Sequence, residues 1–303
     1  MPHLDGQVVV VTGAGRGLGR EHALLLAAEG ASIVVNDLGG SHDGTGAGVG
    51  PAEEVAAEIR AAGGQAVANG DDVSEAAGAD NIVATAVQHF GRLDAVVNNA
   101  GILRDRVLVN LADSDWDLVV KVSMRGTFLV TRAASQHWRE HSKAGEPVSA
   151  SVVNVTSESG IFGNPGQANY AAAKAAIASF TQVAAKELKR YGVRVNAIAP
   201  QARTRLTELA FGDALDAKEG KFDRFDPANV SPIVAYLVSP LCELSGEVFI
   251  VGGSRVQRVK PWEKDPTWKL DTEGRWTIDG LAKAVADAGL PQGAGWTANP
   301  DKV

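Results

Sequence analysis

Tyr170 and Lys174 are the side chains of this sequence best suited to proton transfer. They are four residues apart, so a helix at 168–191 places both on one face. A free tyrosine has a pKa of about 10, which is too high for easy proton exchange near neutral pH. A neighbouring ammonium favours the phenolate, so we expect Lys174 to lower the pKa of Tyr170. This spacing also occurs by chance in many helices, so the pair alone is a weak indication of a catalytic site.

Ser157 lies 13 residues before Tyr170 and follows the apolar run 151–155. If that run is a strand of a doubly wound sheet, its carboxyl end lines the ligand crevice. A serine hydroxyl there could hold a substrate oxygen while Tyr170 gives or takes the proton. Thr156 and Ser159 are alternative hydroxyls, and capping of a loop is the alternative role for all three.

A glycine-rich turn, TGAGRGLG at 12–19, separates an apolar run from a helical pattern. Glycines let the backbone approach a pyrophosphate, and the following helix offers that anion free N–H groups and a positive dipole end. A plain turn between strand and helix is the alternative, but it requires one or two glycines rather than four. The turn therefore predicts a nucleotide site that includes Gly13, Arg16, Gly17, Leu18 and Gly19.

Asp37 closes the second apolar run, 18 residues after Gly19. An acidic residue near this spacing binds the ribose hydroxyls of a dinucleotide and repels a 2′-phosphate. No arginine follows within the next dozen residues, so NAD(H) is predicted over NADP(H). Capping of a turn with Asn36 is the alternative. Further nucleotide contacts are expected after later strands, at Asp72, Val73, Asn99, Ala100, Gly101 and Pro200, although a turn alone would explain several of these residues.

Short β-branched runs alternate with alanine-rich amphipathic stretches along most of the chain. Strands are predicted at 7–12, 32–37, 65–68, 94–98, 151–155, 194–198 and 247–251, and helices at 18–29, 52–62, 81–90, 116–140, 168–191 and 231–238. This alternation is typical of an α/β fold with a Rossmann-type, doubly wound parallel sheet. We expect one domain at 1–255 that contains the active site.

Two segments interrupt this alternation. The glycine-rich stretch 39–50 is predicted to be a mobile surface loop. The C-terminal extension, 256–303, is polar but has four of the six tryptophans, so we expect it to pack on the body or on a neighbouring subunit. Within it, 278–288 has a helical pattern. The four tryptophans are Trp262, Trp268, Trp276 and Trp296.

Composition limits the possible partners. The net charge of −7 argues against nucleic acid or an anionic membrane as the main partner. No apolar stretch is long enough for a membrane-spanning helix. The single cysteine, Cys242, fits a reducing compartment and is expected to be a small buried residue. We expect a cytoplasmic protein without a bound metal that acts on a small molecule.

The order and spacing of TGAGRGLG, NNAG, Ser157 and YAAAK resemble the short-chain dehydrogenase/reductase family across about residues 5–255. The resemblance implies a catalytic trio of Ser157, Tyr170 and Lys174, and a homodimer or homotetramer assembled through the helices at 116–140 and 168–191. It implies cofactor contacts at Gly13, Gly17, Gly19, Asp37, Asn99, Tyr170 and Lys174. One position differs, because Ser123 replaces the asparagine that usually holds a water linking the lysine to solvent. A hydroxyl also binds water, so activity is expected to survive.

Three longer segments are similar to one branch of the family. They are NDLGG at 36–40, NNAGILRDR at 98–106 and SGIFGNPGQANYAAAK at 159–174. The branch is the (3R)-hydroxyacyl-CoA dehydrogenase found in peroxisomal multifunctional enzyme type 2, also called 17β-hydroxysteroid dehydrogenase type 4. It implies NAD-dependent oxidation of a (3R)-hydroxyacyl-CoA with tyrosine as base. Arg104, Arg106 and Lys121 are then candidates for the CoA phosphates, with a solvated surface role as the alternative.

Other functions stay open at this point. A hydroxysteroid or other secondary-alcohol dehydrogenase would use the same residues. A 3-oxoacyl-carrier-protein reductase would too, although such enzymes generally use NADPH, which Asp37 disfavours. A non-catalytic nucleotide sensor on this fold would not require a serine, tyrosine and lysine in register.

Overall fold

Strands and helices alternate along the chain, as the period of its apolar residues predicts. The computed structural model describes residues 2–41, 43–46, 48, 50–203, 220–260, 262–264 and 267–288. The strands are β1 (Val8–Thr12), β2 (Ser32–Asn36), β3 (Gln65–Asn69), β4 (Ala95–Asn98), β5 (Ala150–Val155), β6 (Val193–Pro200), β7 (Val248–Gly252) and β8 (Arg255–Val259). The helices are α1 (Gly17–Ala28), α2 (Gly50–Ala61), α3 (Ala76–Phe90), α4 (Asp113–Val119), α5 (Gly126–Lys143), α6 (Glu158–Phe162), α7 (Ala168–Leu188), α8 (Ser231–Val238) and α9 (Ile278–Ala288).

The strands form one sheet in the order β3-β2-β1-β4-β5-β6-β7-β8. The first seven strands are parallel, and apolar residues cover both faces, as the near-continuous valines of β1 predict. One core packs α1, α2 and α8 against the sheet, and the other packs α3, α5 and α7 against the opposite face. The predicted Rossmann-type α/β fold is therefore confirmed.

β1 pairs with both β2 and β4, so the direction of strand succession reverses between β1 and β4. Ligands of open α/β sheets bind at such a switch point, beyond the carboxyl ends of the strands. The turns after β1, β2, β4 and β5 carry most of the residues predicted to bind a nucleotide or substrate. The topology therefore brings residues far apart in sequence to one edge of the sheet.

The helix predicted at 116–140 is wrong as a single α-helix. A π-helical segment, Val120–Arg125, separates α4 from α5. Its hydrogen bonds span five residues rather than four, and such segments frequently occur at functional sites. The Thr127 hydroxyl donates to the Ser123 carbonyl (2.8 Å), so a side chain competes with the backbone ladder at this point.

One edge strand of the sheet, β8, was not predicted from the sequence. β8 pairs antiparallel with β7, and four of its five residues are exposed. A polar edge strand lacks the continuous apolar run by which the other strands were predicted. The short helix α6 was not predicted either.

Contacts divide the chain into two units, residues 1–259 and 260–303. The second unit has the predicted helix, now α9, and none of the residues of that helix is buried. Trp262 is exposed, and Trp296 lies outside the described residues. Packing of the extension on the body or on another subunit stays a prediction.

Candidate active site

Tyr170 and Lys174 lie on the first turns of α7, beside the carboxyl end of β5. The Lys174 Nζ donates a hydrogen bond to the carbonyl of Val155 (2.7 Å) and is 5.5 Å from the centroid of the Tyr170 ring. Lys174 is buried, and small residues make this possible. A Cβ on Gly160 would be 2.7 Å from the Cβ of Lys174, so only glycine lets α6 approach α7 this closely.

Ser157 is the hydroxyl that meets the phenol. It caps α6 by accepting a hydrogen bond from the Ser159 amide (3.1 Å), and its hydroxyl is close enough to the Tyr170 phenol to lower the pKa of that phenol. The alternative hydroxyls have other partners. Thr156 donates to the Lys174 carbonyl (2.6 Å), and Ser159 donates to the Gln167 side chain (2.7 Å). The structure therefore brings Ser157, Tyr170 and Lys174 together and uses Thr156 and Ser159 elsewhere.

Burial controls the electrostatics of the pair. It raises the pKa of Tyr170 to about 12, with the hydrogen bond from Ser157 opposing the rise and the charge of Asp105 adding to it. Burial lowers the pKa of Lys174 to about 8. The net shift of the pKa of Tyr170 is therefore upward, because desolvation by burial is its largest cause. The expected lowering of this pKa by Lys174 stays a prediction.

Ser123 lies on the π-helical segment, next to the lysine. It is fully buried, and its Oγ has no hydrogen-bond partner among the described residues. A Cβ built on Gly101 would contact both the Ser123 Oγ (3.4 Å) and the Lys174 Nζ (3.5 Å). Gly101 therefore leaves a small space between these two polar groups. The placement fits a role of Ser123 beside Lys174, and that role stays a prediction.

A cleft of about 280 Å³ opens beyond the carboxyl ends of β1, β2 and β4. Four residues predicted to contact the cofactor, Gly19, Tyr170, Lys174 and Pro200, are not among the described residues that line it. Ten of the residues predicted to contact a nucleotide do line it: Gly13, Arg16, Gly17, Leu18, Asp37, Asp72, Val73, Asn99, Ala100 and Gly101. The lining residues that were not predicted are Asn36, Leu38, Gly40, Ser41, Gly44, Asp71, Ile102 and Val122.

The glycines at the end of β1 have distinct physical roles. Gly13 and Gly17 have φ values of +62° and +53°, which strongly favour glycine. A Cβ on Gly19 would be 2.2 Å from the carbonyl oxygen of Gly13, so Gly19 permits close packing of the turn. The Asn99 amide donates to the carbonyls of Thr12 and Gly13 (3.0 Å each) and ties this turn to the one after β4. The turn and the N-terminus of α1 thus form a cradle that fits a pyrophosphate.

Asp37 lines the cleft and connects two loops. Its carboxylate accepts hydrogen bonds from the amides of Gly15 (2.8 Å) and Gly39 (2.6 Å). The Asn36 side chain donates a hydrogen bond to the side chain of Asn69 on β3 (2.8 Å). Asn36 and Asp37 therefore do not cap one turn together, which was the alternative role. Arg16 lines the same cleft and forms no ion pair with a described residue. A cation and an acid therefore share the nucleotide side of the cleft.

Some described residues of the glycine-rich stretch after β2 line the cleft. Gly40, Ser41 and Gly44 line it, and a Cβ on Gly44 would contact Ile102 (3.0 Å) and Leu118 (3.3 Å). The prediction of a mobile surface loop missed this contact because the stretch has few apolar residues that would indicate packing.

The three cations proposed for CoA phosphates have different surroundings. Arg104 pairs with Asp115 (2.8 Å) and donates to the carbonyl of Asp43 (2.8 Å), so it is already engaged. Lys121 pairs with Glu75 (2.6 Å). Arg106 is exposed and has no carboxylate partner among the described residues. Of the three, Arg106 is thus the one available to a phosphate.

The family model for short chain dehydrogenase matches residues 7–210, which is two thirds of the chain. The chain belongs to the short-chain dehydrogenase family. It is therefore an oxidoreductase that acts on CH–OH groups, in a family that uses NAD or NADP. A crystal structure of a short chain dehydrogenase from Mycobacterium avium superposes with a TM-score of 0.86 at 44% identity, covering 98% of this chain and 100% of that one.

Other relatives extend the resemblance predicted from the sequence. Hydroxyacyl-CoA dehydrogenase ChsB1 of Mycobacterium tuberculosis is 48% identical over 271 residues, covering 88% of this chain and 84% of that protein. Peroxisomal multifunctional enzyme type 2 of Mus musculus is 43% identical over 260 residues, 86% of this chain but only 33% of that protein. A 3-oxoacyl-[acyl-carrier-protein] reductase of Synechocystis is 44% identical over 200 residues, covering 66% of this chain and 75% of that protein. The resemblance to the multifunctional-enzyme branch is thus confirmed. Among the described residues, no helix is long and apolar enough to cross a membrane.

Proposed function

We propose that this short-chain dehydrogenase oxidises a (3R)-hydroxyacyl-CoA to the 3-ketoacyl-CoA with NAD⁺. The observation that carries the proposal is the convergence of Ser157, the Tyr170 phenol and the buried Lys174, whose Nζ is 5.5 Å from the centroid of the Tyr170 ring, next to the dinucleotide cradle. The substrate class is supported by the relatives named hydroxyacyl-CoA dehydrogenase and multifunctional enzyme type 2. The choice of NAD⁺ is supported by Asp37, whose charge would repel a 2′-phosphate.

In this proposal Ser157 donates a hydrogen bond to the oxygen on carbon 3 and holds it against the phenol. Tyr170 takes the hydroxyl proton as the C–O bond gains double-bond character. A nicotinamide dinucleotide, when bound, would supply the acceptor for the hydride from carbon 3. Lys174 would hold its ribose and, when charged, favours the phenolate. Gly13, Gly17, Asp37 and Asn99 are the residues that would hold the dinucleotide.

The direction of the reaction should depend on pH. Because the pKa of Tyr170 is raised by burial, the phenol carries its proton at neutral pH. Oxidation requires the phenol to accept a proton, so its rate should rise as the pH rises. Reduction of the ketone requires a proton from Tyr170 and should be favoured at lower pH.

A second candidate is a 3-oxoacyl-carrier-protein reductase that uses NADPH. Arg16 favours it, because this cation lines the cleft without an ion-pair partner among the described residues and would attract a 2′-phosphate. The reductase of Synechocystis among the relatives also favours it. A steroid alcohol dehydrogenase is supported by the branch resemblance alone.

A substrate and cofactor panel separates these candidates. The purified protein is assayed with (3R)- and (3S)-3-hydroxyacyl-CoA of several chain lengths, a 3-ketoacyl-carrier protein and a steroid alcohol, each with NAD(H) and NADP(H). The proposal expects turnover of the (3R)-hydroxyacyl-CoA with a higher kcat/KM for NAD⁺. Arg16→Ala should leave that value nearly unchanged and lower activity with NADP⁺. A preference for NADPH and the carrier protein would instead support the reductase.

Tyr170→Phe tests the mechanism itself. The variant removes only the hydroxyl, so the packing of the ring is retained. Turnover should fall by at least about a hundredfold if the phenol is the general acid and base, while binding of NADH, measured by its fluorescence, should stay close to wild type. Unchanged turnover with the best substrate of the panel would rule out the proposed proton transfer.

A further inference from the structure

Asp105 is a partly buried acid near the phenol that the proposed reaction does not use. It lies on the loop after β4, seven residues beyond the end of that strand. Its Oδ2 accepts a hydrogen bond from the Gln167 amide (2.7 Å). Its Oδ1 is buried and has no hydrogen-bond partner among the described residues. An oxygen left in this state costs free energy, so such a carboxyl calls for a physical explanation.

Hydrogen bonds of Gln167 and Ser159 connect Asp105 to the Ser157 hydroxyl. Gln167 is buried, and its Oε1 accepts from the hydroxyl of Ser159 (2.7 Å). The Ser159 amide donates to the Ser157 Oγ (3.1 Å), and the Ser157 hydroxyl is close enough to the Tyr170 phenol to lower its pKa. Each partner in the chain limits where the next can point. The orientation of Ser157 therefore depends on a carboxyl from a different loop.

The backbone keeps Asp105 in place. The Arg106 amide donates to the carbonyl of Gly166 (2.8 Å), and Arg106 forms a parallel β-bridge with Gln167. The Asn169 side chain donates to the carbonyl of Arg104 (3.0 Å). The loop after β4 and the start of α7 are thus joined on both sides of Asp105, so its distance from the phenol is set by the fold.

The charge of Arg106 acts on Asp105, and the charge of Asp105 acts on Tyr170. Burial raises the pKa of Asp105, while the hydrogen bond from Gln167 and the charge of Arg106, on the same loop, oppose the rise. On α7, the negative charge of Asp105 raises the pKa of Tyr170. The charge of Asp105 therefore favours the protonated form of the phenol.

We propose that Asp105 is a positioning residue of this active site, which orients Ser157 through Gln167 and Ser159 and places a negative charge near the Tyr170 phenol. The role rests on the proposed function, since it assumes that Tyr170 transfers the proton. Asp105 touches neither substrate nor cofactor in this role.

The test compares Asp105→Asn with Asp113→Asn. Asp105→Asn keeps the shape and an oxygen for Gln167, but removes the charge. Asp113→Asn removes one exposed charge from the first turn of α4 and is the matched control. The readout is the pH profile of kcat/KM for oxidation of the best hydroxyacyl-CoA. In Asp105→Asn the limb that rises with pH should shift to lower pH, while in Asp113→Asn it should stay at the wild-type position.

Gln167→Met tests the hydrogen-bond chain separately and serves if Asp105→Asn does not fold. It removes the hydrogen bonds to Asp105 and Ser159, and also the one from Asn164 (2.9 Å), with a side chain of similar length. Misorientation of a catalytic hydroxyl should lower kcat by about ten- to a hundredfold, with a smaller change in KM. Thermal unfolding shows whether each variant is folded.

The outcomes separate this role from the reaction itself. If Tyr170→Phe is inactive but Asp105→Asn and Gln167→Met both keep the wild-type kcat and pH profile, the positioning role is refuted and the proton transfer stands. If Tyr170→Phe keeps full turnover, the proposed function has failed. A loss of kcat in Asp105→Asn without a shift of the profile would refute the electrostatic part.

Discussion

His22 links the stability of this protein to pH. It lies on α1, is fully buried, and its Nδ1 is 2.8 Å from the Oγ of Ser231 at the start of α8. Its Nε2 is buried and has no partner among the described residues. Burial lowers the pKa of His22 to about 3, so the folded protein holds this ring neutral throughout the usual pH range.

The size of the effect follows from proton linkage. The ring has a pKa of 6.5 when exposed and about 3 when folded, so between these values the unfolded chain binds a proton that the native protein does not. The free energy of unfolding contributed by His22 is therefore fully present above pH 6.5 and is lost as the pH falls. The slope approaches about 1.4 kcal/mol per pH unit, and the loss between pH 8 and pH 5 is ~2 kcal/mol.

The assay is urea unfolding followed by circular dichroism at pH 8, 7, 6, 5.5 and 5, at one protein concentration. Asparagine does not titrate, and its amide can hydrogen bond with Ser231. Between pH 8 and pH 5 the free energy of unfolding of His22→Asn should therefore fall by ~2 kcal/mol less than that of the wild type. His89→Asn, at an exposed position on α3, is the matched control and should keep the wild-type slope. Burial also lowers the pKa of His137, but that residue is unchanged in all three proteins. Equal slopes in wild type and His22→Asn would refute the reasoning.

Three other substitutions test the packing and the electrostatics of the site. Gly19→Ala should destabilise the protein by about 1–3 kcal/mol and weaken NADH binding, because the added methyl would meet the backbone of Gly13. Gly48→Ala is the control: no atom lies within 4 Å of the added methyl, so the thermal unfolding temperature should stay at the wild-type value. Lys174→Met should abolish turnover. It should also raise the free energy of unfolding at pH 7 by up to about 3 kcal/mol, because burial makes the charged amine of Lys174 costly in the folded protein. A fall in the free energy of unfolding would contradict this. Phe128→Glu, on an exposed part of α5, should reduce the predicted homo-oligomer to monomers in light scattering, and an unchanged mass would exclude this face as the interface.

Much of the fold could be predicted because its strands are unusually apolar. Runs such as the valines of β1 fit only a sheet that is covered on both faces, and the glycine turn marks where α1 begins. The proximity of Tyr170 and Lys174 follows from helical periodicity alone. The meeting of Ser157 with Tyr170 required a further assumption, that the carboxyl end of β5 faces the start of α7, and the structure has this arrangement.

Other features depend on contacts that local patterns do not reveal. Asp105 and Gln167 are 62 residues apart, and only the adjacency of β4 and β5 brings their loops together. The engagement of Arg104 by Asp115 could not be distinguished in sequence from a free cation. The raised pKa of Tyr170 reflects how deeply the phenol is enclosed, which spacing does not report. Sequence reasoning thus located the reacting groups better than the contacts that control them.

The π-helical segment makes the length of the chain between α4 and α5 as important as its composition. A π-turn holds about one residue more than an α-helix over the same stretch, so the helices on either side differ in phase by about 100°. Deletion of a single residue from Val120–Arg125 would restore a continuous α-helix and rotate α4 relative to α5. Ser123 would leave its place beside Lys174 although every neighbouring side chain had been retained. Insertions and deletions in this segment are therefore expected to inactivate the enzyme more severely than substitutions do.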